Sequence, residues 1–188
     1  MNFVFPPPAT VSVPVVGTQD RFPVHRIYCV GRNYEEHAKE MGFTGREPPF
    51  FFLKPADAMQ HIFGYAVGLD MTRRDLQGDM KKAGRPWCIG KAFDHSAPIG
   101  PITPAAQAGD IVNAELSVQV NGADRQRSNV SKLIWNMAET IEHLSAAWEL
   151  QPGDLIYTGT PEGVGAVVVG DTMVGAVAGL QSITVKVA

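Results

Sequence analysis

The feature that most constrains this 188-residue chain is a hairpin in its middle. Residues 115–120 alternate polar and apolar side chains, Asn121-Gly122 follows, and a polar strand returns. Asn-Gly accepts the two positive φ angles of a type I′ turn, whose twist matches that of paired strands. An antiparallel pair with one apolar face needs a second layer to cover it. The remaining segments supply short strands: residues 26–30, stopping at Gly31; 50–53; 65–69, with Asp70 at the end; 155–157; and a last strand in which Ile183, Val185 and Val187 alternate with Thr184 and Lys186.

Helices are fewer. Asn33, with Glu36 three residues later, has the form of a capping box and predicts a helix over 34–41. A polar helix is expected over 72–83, ending at Gly84. The longest follows Ile134, Met137, Ala138, Ile141, Leu144, Ser145 and Trp148 at helical spacing, with Ser128 or Asn129 as its cap. With 19 glycines and 14 prolines, the composition favours turns and short strands. The fold class expected is β-rich α+β. Residues 1–25 are dotted with prolines, and Val11, Val13 and Val15 alternate as in an edge strand, so an extended N-terminal arm is expected ahead of a domain over 26–188.

The net charge of −3 gives no reason to expect nucleic acid or an anionic membrane as partner. Cys29 and Cys88 are far apart, fit no zinc or CxxC pattern, and read as reduced thiols. No secretory signal or membrane-length apolar run is found. A cytoplasmic location is the expectation.

Several residues can carry chemistry. His37 and Glu40 stand at i and i+3 on one helix face, where a carboxylate can orient an imidazole for proton abstraction from water; a solvated surface pair is the ordinary alternative. Asp70 closes an apolar run, the place for a hard-metal ligand, or simply for a helix cap. Lys91, in Cys88-Ile89-Gly90-Lys91-Ala92-Phe93, can hold an anion or stabilise developing charge, although most lysines are only solvated. Gln77 can donate to a substrate carbonyl or lie exposed on its helix. Residues 158–165, Thr-Gly-Thr-Pro-Glu-Gly-Val-Gly, can bring backbone N–H groups to an anion, but lack the ending of a P-loop and also suit an ordinary strand connection.

In order along the chain, Tyr28-Cys29-Val30-Gly31-Arg32-Asn33-Tyr34 with His37 and Glu40, Phe52-Leu53-Lys54-Pro55, Leu69-Asp70-Met71-Thr72-Arg73-Arg74-Asp75, Gly90-Lys91-Ala92-Phe93-Asp94, Gly109-Asp110 and the 158–165 loop resemble the signatures of the fumarylacetoacetate hydrolase family. The resemblance runs from Arg26 onward. Within the family, the N-terminal arm and Pro86-Trp87-Cys88-Ile89-Gly90-Lys91 look most like bacterial members that act on fumarylpyruvate. It implies a mixed β-sandwich roll, a homodimer, and a Mg2+ or Mn2+ ion held by a Glu-x-Glu pair and the Asp matching Asp70. It also implies His37 and Glu40 as the water-activating pair, Lys91 as the charge-stabilising lysine, and Gln77 and Thr160 as substrate contacts. The activity implied is hydrolytic carbon–carbon cleavage of acylpyruvates, 2,4-diketo acids such as fumarylpyruvate, in aromatic catabolism. Oxaloacetate decarboxylation and diketo-acid isomerisation use the same enolate chemistry and are the alternatives.

The chain departs from that pattern where the Glu-x-Glu pair belongs. Met59 runs directly into Gln60-His61-Ile62-Phe63. Losing a strand from a packed sheet would cost an amount comparable to a domain's whole stability of about 5–15 kcal/mol. The expectation is therefore a missing segment between Met59 and Gln60 in a fold that otherwise keeps it. Were the deletion real, the chain would be a catalytically dead homologue acting as a binding protein.

Overall fold

The computed structural model describes residues 10–31, 33–40 and 61–188. The side chains of His37, Ala38 and Glu40, the strand expected over 50–53 and the Met59–Gln60 junction lie outside the described residues.

The expected hairpin is present. Strands β6 (Glu115–Val120) and β7 (Ala123–Asn129) pair antiparallel, with Asn121 at φ 52° and Gly122 at φ 80° in the turn. With β9 (Thr172–Val177) and β10 (Ile183–Lys186) they form a four-stranded sheet in the order β10-β9-β6-β7. Smaller pairs surround it. β1 (Ser12–Pro14) and β2 (Arg21–Pro23) form an antiparallel hairpin that buries Val13 and Val15, so residues 12–23 are folded back on themselves. β3 (Ile27–Cys29) runs parallel to β8 (Leu155–Tyr157), and β4 (Gly64–Tyr65) pairs β5 (Thr103–Pro104). The helices are α1 (Glu35–Glu40), α2 (Arg74–Lys82), α3 (Cys88–Lys91) and α4 (Met137–Ala147). Mixed sheets with a few short helices are the β-rich α+β architecture expected.

Three local expectations are corrected. Asn33 does not cap α1, which begins at Glu35. Its side chain is fully buried and spent elsewhere: Nδ2 donates to the carbonyls of Trp135 and Thr158, and Oδ1 accepts from the Trp135 N–H. The long helix starts at Met137, capped by Asn136 and Glu139 in a reciprocal box; Ser128 and Asn129 stay in β7, which remains paired with β6 to its end. The strand expected over 65–69 is interrupted. Its neighbour carries Pro98, Pro101 and Pro104, which have no N–H for a ladder, and pairing survives as Gly64–Tyr65, a Gly68–Ile99 bridge and single bonds such as Leu69 N–H to Pro98 O, 2.9 Å.

Leu69, Val120 and Met173 form a core cluster against which Met71, Val118, Ile183 and Val185 pack. Chain alternation thus puts Leu69 and Met71 inward and turns Asp70 out. Each such side chain, fully buried, is worth about 1.5–3 kcal/mol, which anchors Asp70 from both sides.

The β3–β8 pair is pinned by Asp154, whose side chain is 5% exposed. His25 Nδ1 lies 2.7 Å from Oδ1, Arg26 Nη2 lies 3.1 Å from Oδ2, and the Gln151 N–H donates at 2.9 Å. Burial pushes this carboxyl up, but the donors from Gln151, His25 and Arg26 outweigh it and hold it below its usual 3.8. A carboxyl depressed on folding stabilises fully above its unfolded pKa, and that stabilisation is lost as pH falls through the lower folded value. Asp154→Asn is expected to cost about 2 kcal/mol at neutral pH. Urea unfolding should show the gap between variant and parent closing below about pH 4; a gap independent of pH would assign the loss to packing instead.

Candidate active site

Asp70, Gln77, Lys91 and Thr160, four of the six residues singled out from sequence, line one cleft. For His37 and Glu40 the structure gives the helix, α1, that carries them.

Lys91 Nζ is 2.7 Å from Asp70 Oδ2, with both side chains 31% exposed. Local packing explains the pairing. A Cβ at Gly90 would lie 2.7 Å from the backbone N of Gln77, so glycine there lets α3 press onto α2 and sets Lys91 at the cleft. The Arg73 N–H bonds Gly90 O at 2.9 Å and ties the two helices together beside Asp70.

Gln77 is buried, and Arg74 Nη1 donates to its Oε1 at 2.8 Å. Guanidinium has no acceptor, so the amide oxygen must face it. The Gln77 NH2 is left as a donor for a ligand. Thr160 obeys the same logic. Gln126 on β7 donates from Nε2 to Thr160 Oγ1 at 2.9 Å and to Pro161 O at 2.8 Å. A hydroxyl that accepts from an amide directs its own hydrogen elsewhere, so Thr160 too is set as a donor. With the Lys91 ammonium, the cleft presents three donor groups suited to an oxygen-rich, anionic ligand.

The loop carrying Thr160 is held at both ends. Asn33 bonds Thr158 O at 2.9 Å, and Gly163, at φ 88°, lies so close to Arg125 O that a Cβ would approach it to 2.1 Å. Tyr157, at the end of β8, donates to Ala97 O and Pro98 O; burial, then the Cys29 and Asp70 charges, push its phenol up, so it stays neutral. Cys29 is a free thiol pushed up by partial burial and by Asp70, with Lys91 pulling it down. It is therefore protonated rather than nucleophilic. Sequence reasoning missed Gln126 because nothing in a polar hairpin strand signals a contact 34 residues away.

A divalent metal needs several hard oxygen ligands, Mg2+ six in an octahedron. Asp70 fits as one: it projects from a rigid, core-anchored position, and its Oδ2 already holds a cation, the Lys91 ammonium. Among the described residues no group of three His, Cys, Asp or Glu could complete a site. Nor do any two acidic residues in the chain stand two apart, so the Glu-x-Glu pair is absent from the sequence.

The comparisons with known proteins agree on one family. A family description, fumarylacetoacetate hydrolase C-terminal, matches residues 50–188. The chain is 49% identical over 139 residues to a fumarylpyruvate hydrolase of a Ralstonia species, covering 74% of this chain and 72% of that one. It is 37% identical over 192 positions to an oxaloacetate tautomerase of Escherichia coli, covering 81% of this chain and 88% of that one. That alignment takes in about 152 of the 188 residues here, so about 40 of its positions have no residue in this chain; the Ralstonia alignment has no such excess. In structure, a fumarylpyruvate hydrolase of Pseudomonas aeruginosa in complex with Mn2+ and pyruvate superposes with a TM-score of 0.93 at 49% identity, over 100% of this chain and 99% of that one. The chain is an enzyme of the fumarylacetoacetate hydrolase family.

Proposed function

We propose that this enzyme hydrolyses acylpyruvates, fumarylpyruvate among them, in the breakdown of aromatic compounds. The observation that carries the reading is that the Lys91–Asp70 pair shares one cleft with Gln77 and Thr160, both set as donors.

A 2,4-diketo acid presents a carboxylate and two carbonyl oxygens, and the three donors match those acceptors. Gln77 and Thr160 orient the pyruvate portion. His37, oriented by Glu40, takes a proton from water, which attacks the carbonyl carbon of the acyl group. Lys91 stabilises the oxyanion. The bond between that carbon and the methylene of the pyruvate portion then breaks, its electron pair leaving as pyruvate enolate, which is protonated to pyruvate. The other product is the acyl group's carboxylic acid. Asp70 would help hold a Mg2+ or Mn2+ ion, which when bound would supply Lewis-acid stabilisation of the enolate charge.

The test is cleavage of fumarylpyruvate with and without added Mn2+, followed by release of fumarate and pyruvate. No product in either condition would remove the hydrolase reading. The 37% identity to an oxaloacetate tautomerase favours a second reading, so oxaloacetate belongs in the same assay. Keto–enol exchange without fumarylpyruvate cleavage would make it the better one.

The remaining carboxylates are part of the proposal: a segment bearing them stands between Met59 and Gln60, supported by the positions of the tautomerase alignment that find no residue here. An intact mass clearly above 20.3 kDa is expected. A mass equal to that value leaves the metal site short of ligands and turns the reading towards a binding protein. A homodimer in the cytoplasm completes it; no helix among the described residues is long and apolar enough to cross a membrane.

A further inference from the structure

Four cations, Arg73, Arg74, Lys81 and Lys91, line the cleft along α2 and α3, against Asp70 and Asp75 from the same stretch. This is a local excess of positive charge in a chain of net charge −3. Lys91 pairs with Asp70, and Arg74 donates to the neutral Gln77 amide. Arg73 is arranged differently. Its guanidinium lies 4.3 Å from the centroid of the Phe93 ring, and its backbone N–H is fixed on Gly90 O at 2.9 Å. Among the described residues, no carboxylate is within ion-pair distance of it. The backbone bond and the ring thus hold an exposed guanidinium at the cleft wall, three residues from Asp70 and beside the helix that carries Lys91.

Guanidinium is a planar fork of donors suited to bidentate capture of a carboxylate, and a stacked, pre-positioned fork loses less entropy on binding than a free one. We propose that Arg73 determines specificity for the acyl group: it takes a second carboxylate at the substrate's distal end, so this enzyme prefers acylpyruvates whose acyl group is itself an acid. The proposal rests on the hydrolase reading and names the class of acyl group within it. Phe93 serves as the platform that aims the guanidinium.

The test compares fumarylpyruvate, with a distal carboxylate, and acetylpyruvate, without one, in parent enzyme, Arg73→Met and Arg73→Lys. Arg73→Met is expected to raise KM for fumarylpyruvate about 30-fold, with kcat changed less than about threefold and acetylpyruvate kinetics nearly unchanged. Arg73→Lys should recover part of the loss, as an ammonium keeps the charge but not the fork. Equal losses on both substrates, or none on fumarylpyruvate, overturn the assignment. Calorimetric titration with fumarate and with crotonate, its monocarboxylate counterpart, separates this proposal from the hydrolase reading. If the parent cleaves neither substrate, the hydrolase reading falls. A fumarate preference that disappears in Arg73→Met then still upholds Arg73, and absence of any preference sinks it.

Discussion

Replacing Lys91 by methionine is expected to lower kcat for fumarylpyruvate by about 10²–10³-fold, the range found when one donor to a developing oxyanion is removed. The same change should leave the fold nearly untouched. The Lys91–Asp70 pair is 2.7 Å long, but both side chains are 31% exposed, and ion pairs with that much water contact are worth about 0–1 kcal/mol. Methionine keeps most of the aliphatic stem, so the packing of α3 on α2, which rests on Gly90 rather than on Lys91, is retained. The contrast decides the role. An ammonium that acts on the reaction gives a large loss of kcat with a melting shift of a few degrees at most; an ammonium that merely neutralises Asp70 gives small losses in both. Lys91→Arg discriminates further, since a bulkier planar cation keeps the charge but cannot sit at the same point. If Lys91→Met retains more than about a tenth of the parent kcat, the charge-stabilising role assigned to Lys91 in the proposed mechanism is wrong.

The candidate site residues could be singled out in the chain because each lies in a short motif, weak alone, and the motifs stand together in the family's order. An apolar run over 64–69 marked Asp70 as the strand-end carboxylate, and the Gly90-Lys91 pair sits in a short apolar run. What could not be read is where a residue's hydrogen bonds go when its partners are distant. Asn33 has the local look of a helix cap, yet Trp135 and Thr158, 102 and 125 residues away, claim its side chain. Gln126 reads as one polar residue in a polar strand, and only the approach of the 158–165 loop gives it a function. β9 escaped notice for a related reason. Its sequence, Thr-Met-Val-Gly-Ala-Val, is weakened as a strand signal by Gly175, yet a Cβ there would already lie 3.2 Å from Val67 and Ile183, so the core demands a small residue. Tertiary packing outweighs local propensity at each of these positions.

Those long-range bonds make Asn33 the position whose loss should cost the most stability. It is the most completely buried large side chain among the described residues, and its amide satisfies three backbone groups: the N–H and C=O of Trp135 and the C=O of Thr158. Its own carbonyl accepts from the Ile134 N–H at 2.8 Å. Asn33→Leu fills nearly the same volume but takes the side-chain partner from the Trp135 N–H and the Thr158 C=O, each worth about 1–3 kcal/mol when left unpaired, while the Trp135 C=O keeps the Thr140 hydroxyl at 3.3 Å; the expected total is about 3–4 kcal/mol. For a chain of this size that is a fall in Tm of roughly 10 °C. Asn33→Asp keeps the acceptor for the Trp135 N–H but turns a carboxylate oxygen towards two carbonyls, so it should be no better. Urea unfolding of the three proteins gives the answer directly, and a loss below about 1 kcal/mol in Asn33→Leu would show that water or a shifted loop takes over these bonds. The consequence reaches the chemistry. α1, which carries His37 and Glu40, starts two residues after Asn33, and the loop bearing Thr160 starts at Thr158. One side chain joins the proposed water-activating helix to the proposed substrate-binding loop, so Asn33 variants that still fold are expected to lose kcat even at temperatures where they are fully native.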